Sequence, residues 1–317
     1  MRRWVAALGA GLALGAAPLG GAGASAAGAT TIRLGAQLDG MHALMDVSGA
    51  LRGASYTVDW STFASGPLEV QALQAGKIDF AGVGNTPLLF GAATRPNFKV
   101  VAALRGGSRR GDVFLVRRGS PIVHVQDLRG RTIAYTRGSS AHGFLIQALA
   151  RAGLDTSQVR LVDLSPGDAL AAFSSGRVDA WATWEPFRTI ALTLTPGGGR
   201  VLTTKDDYAA SGISFMLASD RALGDAARRA AIADYLARQR RALAWGMAHP
   251  DAWLAAAQRE SHLPAAVLRG ARIYARIDLV PASPAIVAAE QTLADVLARA
   301  GVVKAVRVAP LVANLLR

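Results

Sequence analysis

Four short segments of this 317-residue chain carry side chains from which a ligand site could be built: Gln37 to Gly40, Asn85-Thr86-Pro87, Gly138-Ser139-Ser140-Ala141-His142 and Trp184-Glu185-Pro186. The third is the most polar. Serine hydroxyls can cap a helix and also turn toward an anion, while the backbone N–H groups of the first turn add the positive end of the helix dipole. Two adjacent serines followed by His142 exceed what one cap needs, so ligand contact is expected there. Asn85-Thr86 reads equally as a cap or as a contact. Trp184 offers a flat apolar face suited to an alkyl chain. This is the chemistry of binding. Asp79 and Asp179 could suggest paired carboxylates for acid–base work, but each opens a strand at the end away from the four segments and is expected to bond local backbone after a glycine turn. His42, His124, His249 and His262 lack metal-ligand spacing, and Gly197-Gly198-Gly199 lacks the lysine and hydroxyl residue of a phosphate loop.

The four segments acquire a common position once the elements around them are read. Ala75-Gly76-Lys77-Ile78-Asp79-Phe80 and Ser175-Gly176-Arg177-Val178-Asp179-Ala180 match one another one hundred residues apart. Each follows an apolar-periodic helix, predicted over 67–75 and 166–174, and each leads into a buried strand, predicted over 78–83 and 178–183. Strands predicted over 31–37 and 132–136, and over 56–60 and 159–164, extend the match. The pattern predicts two similar α/β lobes with a cleft between them. In such sheets ligands sit beyond the carboxyl ends of the strands, against helix N-termini, and all four segments fall there. Further strands are predicted over 99–104, 113–117, 200–203 and 211–218, with the passage between lobes near Arg105 to Gly111. From Asp225 the pattern is helical, broken at Pro250, Pro264 and Pro281, and these helices are expected to pack back on the first lobe.

Composition narrows the function further. The chain has no cysteine, which removes disulfides, thiolate nucleophiles and lipoprotein attachment together. Its net charge of +13 comes almost wholly from arginine, scattered rather than blocked, so nucleic acid is not an expected partner. Arg228, Arg229, Arg238, Arg240 and Arg241 read as the solvated face of an amphipathic helix. Met1-Arg2-Arg3, the apolar stretch Val5 to Leu19 and the small residues around Ala24 to Ala26 have the layout of an export signal cleaved near residues 24–26. The expected divisions are a signal peptide over 1–26, the first part of lobe one over 27–108, lobe two over 109–208, and a return to lobe one with C-terminal helices over 209–317.

The segments Arg33-Leu34-Gly35-Ala36-Gln37, Phe63-Ala64-Ser65-Gly66-Pro67, Gly84-Asn85-Thr86-Pro87, Gly138 to His142 and Trp184-Glu185-Pro186-Phe187, in this order and spacing, resemble those of the periplasmic aliphatic sulfonate-binding proteins of ATP-driven (ABC) importers. The wider family includes taurine, nitrate and thiamine-precursor binders. The resemblance implies a two-lobed periplasmic-binding-protein fold of type II, each lobe a mostly parallel sheet flanked by helices, closing on its ligand and presenting it to a membrane permease. It implies a monomer without cofactor, metal or catalytic activity, whose ligand is a small organosulfonate anion. Gln37, Thr86, Ser139, Ser140 and His142 would meet the sulfonate oxygens, and Trp184 would line the organic tail. Glu185 would order the cleft or meet a polar group, with Asn85 and Gly212 completing the site. The resemblance departs at Ala36, where the family carries an aromatic residue, at Leu38, where it carries lysine or similar, and around Ser211 to Phe215, one residue longer than usual. A same-fold enzyme or a periplasmic sensory protein are the alternatives from other classes.

Overall fold

The computed structural model describes residues 30–37, 39–106, 111–195, 197–202, 212–271 and 277–316. The export signal, Leu38, Ser211 and most of the predicted passage between lobes lie outside the described residues. The chain runs β1 (Thr30–Ala36), α1 (Met41–Val47), β2 (Tyr56–Thr62), α2 (Gly66–Gln74), β3 (Phe80–Gly84), α3 (Asn85–Thr94) and β4 (Phe98–Gly106). It continues β5 (Val113–Arg117), β6 (Thr132–Tyr135), α4 (Ser140–Arg151), β7 (Arg160–Asp163), α5 (Pro166–Ser174), β8 (Ala180–Thr183), α6 (Phe187–Leu194) and β9 (Gly199–Val201). The last part is β10 (Ile213–Ser219), α7 (Asp220–Gly224), α8 (Ala226–Ala248), α9 (Pro250–Ser261), α10 (Ala265–Ala271), β11 (Ile277–Val280) and α11 (Pro284–Arg299).

These strands form a sheet of order β11-β4-β10-β3-β1-β2 and a second of order β7-β6-β8-β5-β9. The sheets are alike. In each, a central strand (β1 or β6) pairs in parallel with two neighbours, and an antiparallel strand then sits beside the third. That antiparallel strand is borrowed. The first sheet takes β10, which follows the second lobe in sequence, and the second takes β5, which precedes its other strands, so the chain passes twice between lobes.

The sequence repeat marks the same joint in both sheets. Asp79 N–H donates to the Arg33 carbonyl at 2.8 Å, and Asp79 Oδ2 accepts from Arg33 N–H at 3.1 Å. In the other lobe Asp179 N–H donates to the Thr132 carbonyl at 2.9 Å, and Asp179 Oδ2 accepts from Thr132 N–H at 2.8 Å. The expectation that these carboxylates bond local backbone is therefore corrected: each reaches the neighbouring strand, where an amide beside the point at which parallel pairing begins needs an acceptor. Asp79 also receives the guanidinium groups of Arg33 at 2.7 Å and Arg221 at 3.2 Å. Burial pushes its carboxyl upward, but the Arg33 side-chain and backbone hydrogen bonds outweigh that and hold it below the usual range.

Two further expectations change beyond Asp225. The chain is not helical throughout: Ile277–Val280 adds β11 antiparallel to β4, an edge strand too short to show periodicity. Nor do all C-terminal helices cover the first lobe. α8 packs on β1 and β11 and α9 on α1, whereas α10 packs on α6 and α11 lies against both α3 and α4. Ile286, Leu293, Ala294 and Leu297 of α11 thereby join one core containing Leu88 and Phe98 of the first lobe and Leu145 and Ile133 of the second. Among the described residues no helix is long and apolar enough to cross a membrane.

Asp79→Ala should destabilise the fold by on the order of 3 kcal/mol at neutral pH, because it strands two guanidinium groups and an amide. Since Asp79 is held low in the folded state, that contribution is present above the ordinary carboxyl range and lost as pH falls below it through the lowered folded-state pKa. Urea melts of both proteins should therefore begin to converge only below about pH 4; a constant difference would contradict this.

Candidate functional site

The carboxyl ends of β1, β2 and β3 face the start of α4 and the segment after β8 across a cavity of about 360 Å³. Gln37, Ser139, Ser140, Trp184, Glu185 and Gly212 line it, as the sequence suggested. Asn85, Thr86 and His142 do not. Their placement is a correction with one common cause: α3 and α4 meet end to end beneath the cavity, and these side chains fill that contact. Asn85 Oδ1 accepts from the Thr86 amide and hydroxyl at 2.7 and 3.1 Å. Thr86 is fully buried against Gly143, where an added Cβ would collide with its side chain. The His142 ring packs between Tyr135 of its own lobe and Phe90 of the other, at 4.6 and 5.4 Å between centroids.

His142 is also unsuited to hold an anion by charge. Its Nδ1 accepts the Gly138 N–H at 3.1 Å, and burial followed by the nearby Arg137 charge lowers its pKa to about 4. The ring is neutral at physiological pH, with its proton on Nε2.

The serines are committed as well. Ser139 caps α4, donating to the Thr136 carbonyl at 2.7 Å and accepting from the His142 amide at 3.4 Å. Ser140 Oγ donates to Asp112 Oδ1 at 2.6 Å, a partner that nothing in the sequence pattern singled out. What the α4 terminus leaves for a ligand is backbone. The amide of Ser140, a residue of the cavity wall, has no protein acceptor among the described residues and stands at the positive end of a twelve-residue helix. Gly138, at φ 75°, makes the turn that precedes it.

Acids dominate the rest of the wall. Glu185 Oε2 accepts from the Thr189 amide at 3.2 Å and Oε1 meets Arg188 Nε at 3.3 Å, so its charge is balanced and it orders the start of α6. Trp184 beside it stands edge-on to Phe187, 5.4 Å between centroids. Gln37 Nε2 donates to Glu69 Oε2 at 2.7 Å. Glu69 is fully buried, and desolvation, then the charge of Asp39, pushes its carboxyl well above the ordinary range. Asp39 stands exposed at the cleft and accepts from the Met41 amide at 3.0 Å, and loss of water around it, with the charge of Glu260 adding, raises its carboxyl to about 6. Among the described lining residues the charged ones are Asp39 and Glu185, both acidic.

Several lining residues were not foreseen: Trp60, Ser214, Tyr235 and Gln239, while Asp39 lies within the Gln37 to Gly40 segment without having been singled out. Trp60 could have been found, since it lies near the carboxyl end of β2 and so obeys the rule that found the others. Tyr235 and Gln239 sit four apart on α8, on the face turned from Arg240 and Arg241; a reading of that helix as outer cover concealed them.

With the site in view, comparison with known proteins places the chain. Residues 63–252 match the family described as NMT1/THI5 like, and the chain belongs to that family. The structure of the alkanesulfonate-binding protein SsuA from Xanthomonas axonopodis pv. citri, bound to MOPS, superposes with a TM-score of 0.81 at 30% identity, covering 90% of this chain and 98% of that one. The periplasmic aliphatic sulphonate binding protein SsuA from Escherichia coli gives 0.78 at 30% identity, covering 89% and 97%. The fold is therefore the two-sheet periplasmic-binding-protein fold of those structures. A curated Escherichia coli (strain K12) protein whose name refers to aliphatic sulfonates binding is 39% identical over 162 residues, 51% of this chain and 50% of that protein. The matched region thus spans about half the length of the curated relative.

Two outcomes separate the roles just assigned. His142→Ala should lower stability by about 3 kcal/mol in denaturant melts, since it empties a buried contact between lobes, while calorimetry finds the anion affinity of the folded fraction within about threefold of wild type. For a ligand carrying only negative charge, affinity should fall as pH rises from 5 to 7, because Asp39 gains its charge near 6. Asp39→Asn should remove part of that dependence, the rest belonging to Asp112 beside Ser140, whose carboxyl burial also raises to about 6.

Proposed function

We propose that this chain is the substrate-binding protein of an ABC importer, capturing an organosulfonate in the cleft between its lobes and delivering it to a membrane permease. The observation that carries the reading is the start of α4, with the unpaired Ser140 amide, on the wall of a cleft that Trp60 and Trp184 also line, on the fold of the SsuA proteins. A sulfonate spreads one negative charge over three acceptor oxygens, which suits backbone N–H donors and needs no cationic side chain. The apolar walls take the organic part. Binding selects the closed arrangement by differential affinity, with the ligand bridging elements from both lobes.

The residues that would touch the ligand are Ser139, Ser140, Gln37, Trp184 and Gly212, with Glu185 holding the wall in place. Lobe one would comprise residues 27–108 and the return from 209, and lobe two residues 109–208, following the two sheets. The binding, non-enzymatic role rests on the relatives being named as binding proteins and on a chain without cysteine. A periplasmic location follows from the same relatives together with the export-signal layout of the first residues. The working unit would be a monomer without cofactor or metal.

A thermal-shift panel followed by calorimetry tests the reading. At a ligand concentration a thousandfold above Kd, a true ligand stabilises the protein by about 4 kcal/mol, and at least one organosulfonate should do so. A clear response to nitrate or a pyrimidine, with none to any sulfonate, would sink the assignment.

A further inference from the structure

Arginines that are scattered along the sequence are gathered by the fold at one end of the second sheet. β6, β7 and β8 run in parallel and β5 runs against β8, so the carboxyl end of β5 lies where the other three begin. That end is the one away from the cleft. Arg117 closes β5 and Arg118 follows it, Arg129 and Arg131 precede β6, Arg160 opens β7, and Arg177 lies in the turn before β8. All six are exposed. The side chain of Arg117 lies over Gly176, where an added Cβ would strike its guanidinium, and that of Arg118 stands over Gly198, whose added Cβ would lie 3.3 Å from its Nε. Among the described residues none of the six is in an ion pair, although Arg131 acts on Asp127 at longer range. Three acids at the same end are committed to backbone: Asp127 to the Val123 and His124 amides, Asp155 to that of Ser157, and Asp179 to that of Thr132.

The loop after β5 belongs to this face. Arg200 holds it, donating from Nη2 to the carbonyls of Ser120, at 3.2 Å, and Ile122. The loop presents Val123, 49% exposed, among the arginines, with Pro121 exposed beside it. An acidic protein would ask for an apolar centre enclosed by a polar rim, and one valine with one proline is too little for that. A layer of lipid headgroups asks for less. Its phosphates are mobile and come to the guanidinium groups without matched shape, and arginine takes phosphate oxygens two at a time. Each basic side chain near an anionic bilayer strengthens binding by a factor of about five. Val123 can enter the headgroup boundary between them. We propose that this arginine-bearing end of the second lobe is a docking surface for a bilayer carrying anionic phospholipid. The cleft, at the other end of the same strands, then stays open to solvent while the protein rests on the membrane. In the importer reading above, such adsorption keeps the binding protein beside its permease; the surface itself does not depend on that reading.

Co-sedimentation of the full chain with vesicles tests this. At about 0.1 M salt it should bind vesicles of phosphatidylglycerol and phosphatidylcholine in equal parts at least about a hundredfold tighter than vesicles of phosphatidylcholine alone. That preference should vanish at about 1 M salt, where the screening length falls to about 3 Å. Arg129→Gln, Arg131→Gln and Arg177→Gln combined should weaken binding to the anionic vesicles by about a hundredfold. Arg229→Gln, Arg241→Gln and Arg259→Gln combined remove the same charge from exposed positions of α8 and α9, and should change it by less than about threefold. Equal losses from the two triple variants would mean that only the overall charge acts, and would overturn the proposal. So would absence of binding to the anionic vesicles. Retention by immobilised poly-L-glutamate without binding to those vesicles would assign the face to an acidic protein and overturn it as well. No sulfonate enters the experiment, so its outcome stands apart from that of the ligand panel.

Discussion

The carboxylate just before β3 in one lobe and β8 in the other, Asp79 and Asp179, bonds an amide of the central parallel strand, Arg33 of β1 and Thr132 of β6, and the placement of everything at the far end of those strands follows from that register. A slip of one residue would turn every side chain of β1 or β6 to the opposite face and draw the core out into water. It would also move Gln37 and the turn at Gly138 away from the cleft, since both follow directly from those strands. The ionic form of the joint in the first lobe, with Arg33 and Arg221 around a buried Asp79, makes it the stiffer of the two. The long-range anchor and the ligand site are thus opposite ends of the same few strands.

Register alone would leave two separate sheets. The chain passes from the first sheet to the second between β4 and β5 and returns between β9 and β10, and α11 joins the lobes by sitting on both α3 and α4. Beneath the cavity the starts of α3 and α4 are in direct contact, with Thr86 against Gly143 and His142 against Phe90. That contact is the floor of the cleft. It explains why residues that look like ligand donors in sequence are occupied in holding the lobes together, and why the donors that remain are backbone amides.

The electrostatics of the cleft run against those of the whole molecule. The chain carries +13, yet the charged side chains on the described cavity wall are acids. Glu185 is balanced by Arg188, Glu69 is buried and held toward its neutral form, and Asp39 remains. The proposed capture of an anion in such a place would rest on the start of α4, whose backbone amides carry no full charge.

Much of this was legible in the chain. The hundred-residue repeat and the alternation of helix and buried strand pointed to two alike sheets, and the rule that sites lie beyond the carboxyl ends of strands pointed to segments that line the cavity, because burial leaves a periodic trace and a turn or cap needs particular residue types; the family came from the resemblance of five short segments. Partners leave no such trace. Whether Ser140 met a ligand or Asp112, whether His142 faced the cleft or Phe90, and whether Tyr235 and Gln239 lay under solvent or in the site depended on contacts between residues far apart in sequence. Ile277–Val280 could become a strand only because β4 offered it an edge. The sequence by itself determined which segments would reach the cleft; only the tertiary structure decided which of their atoms were still free, since a hydrogen-bonding group is used up by whichever partner the packing brings to it.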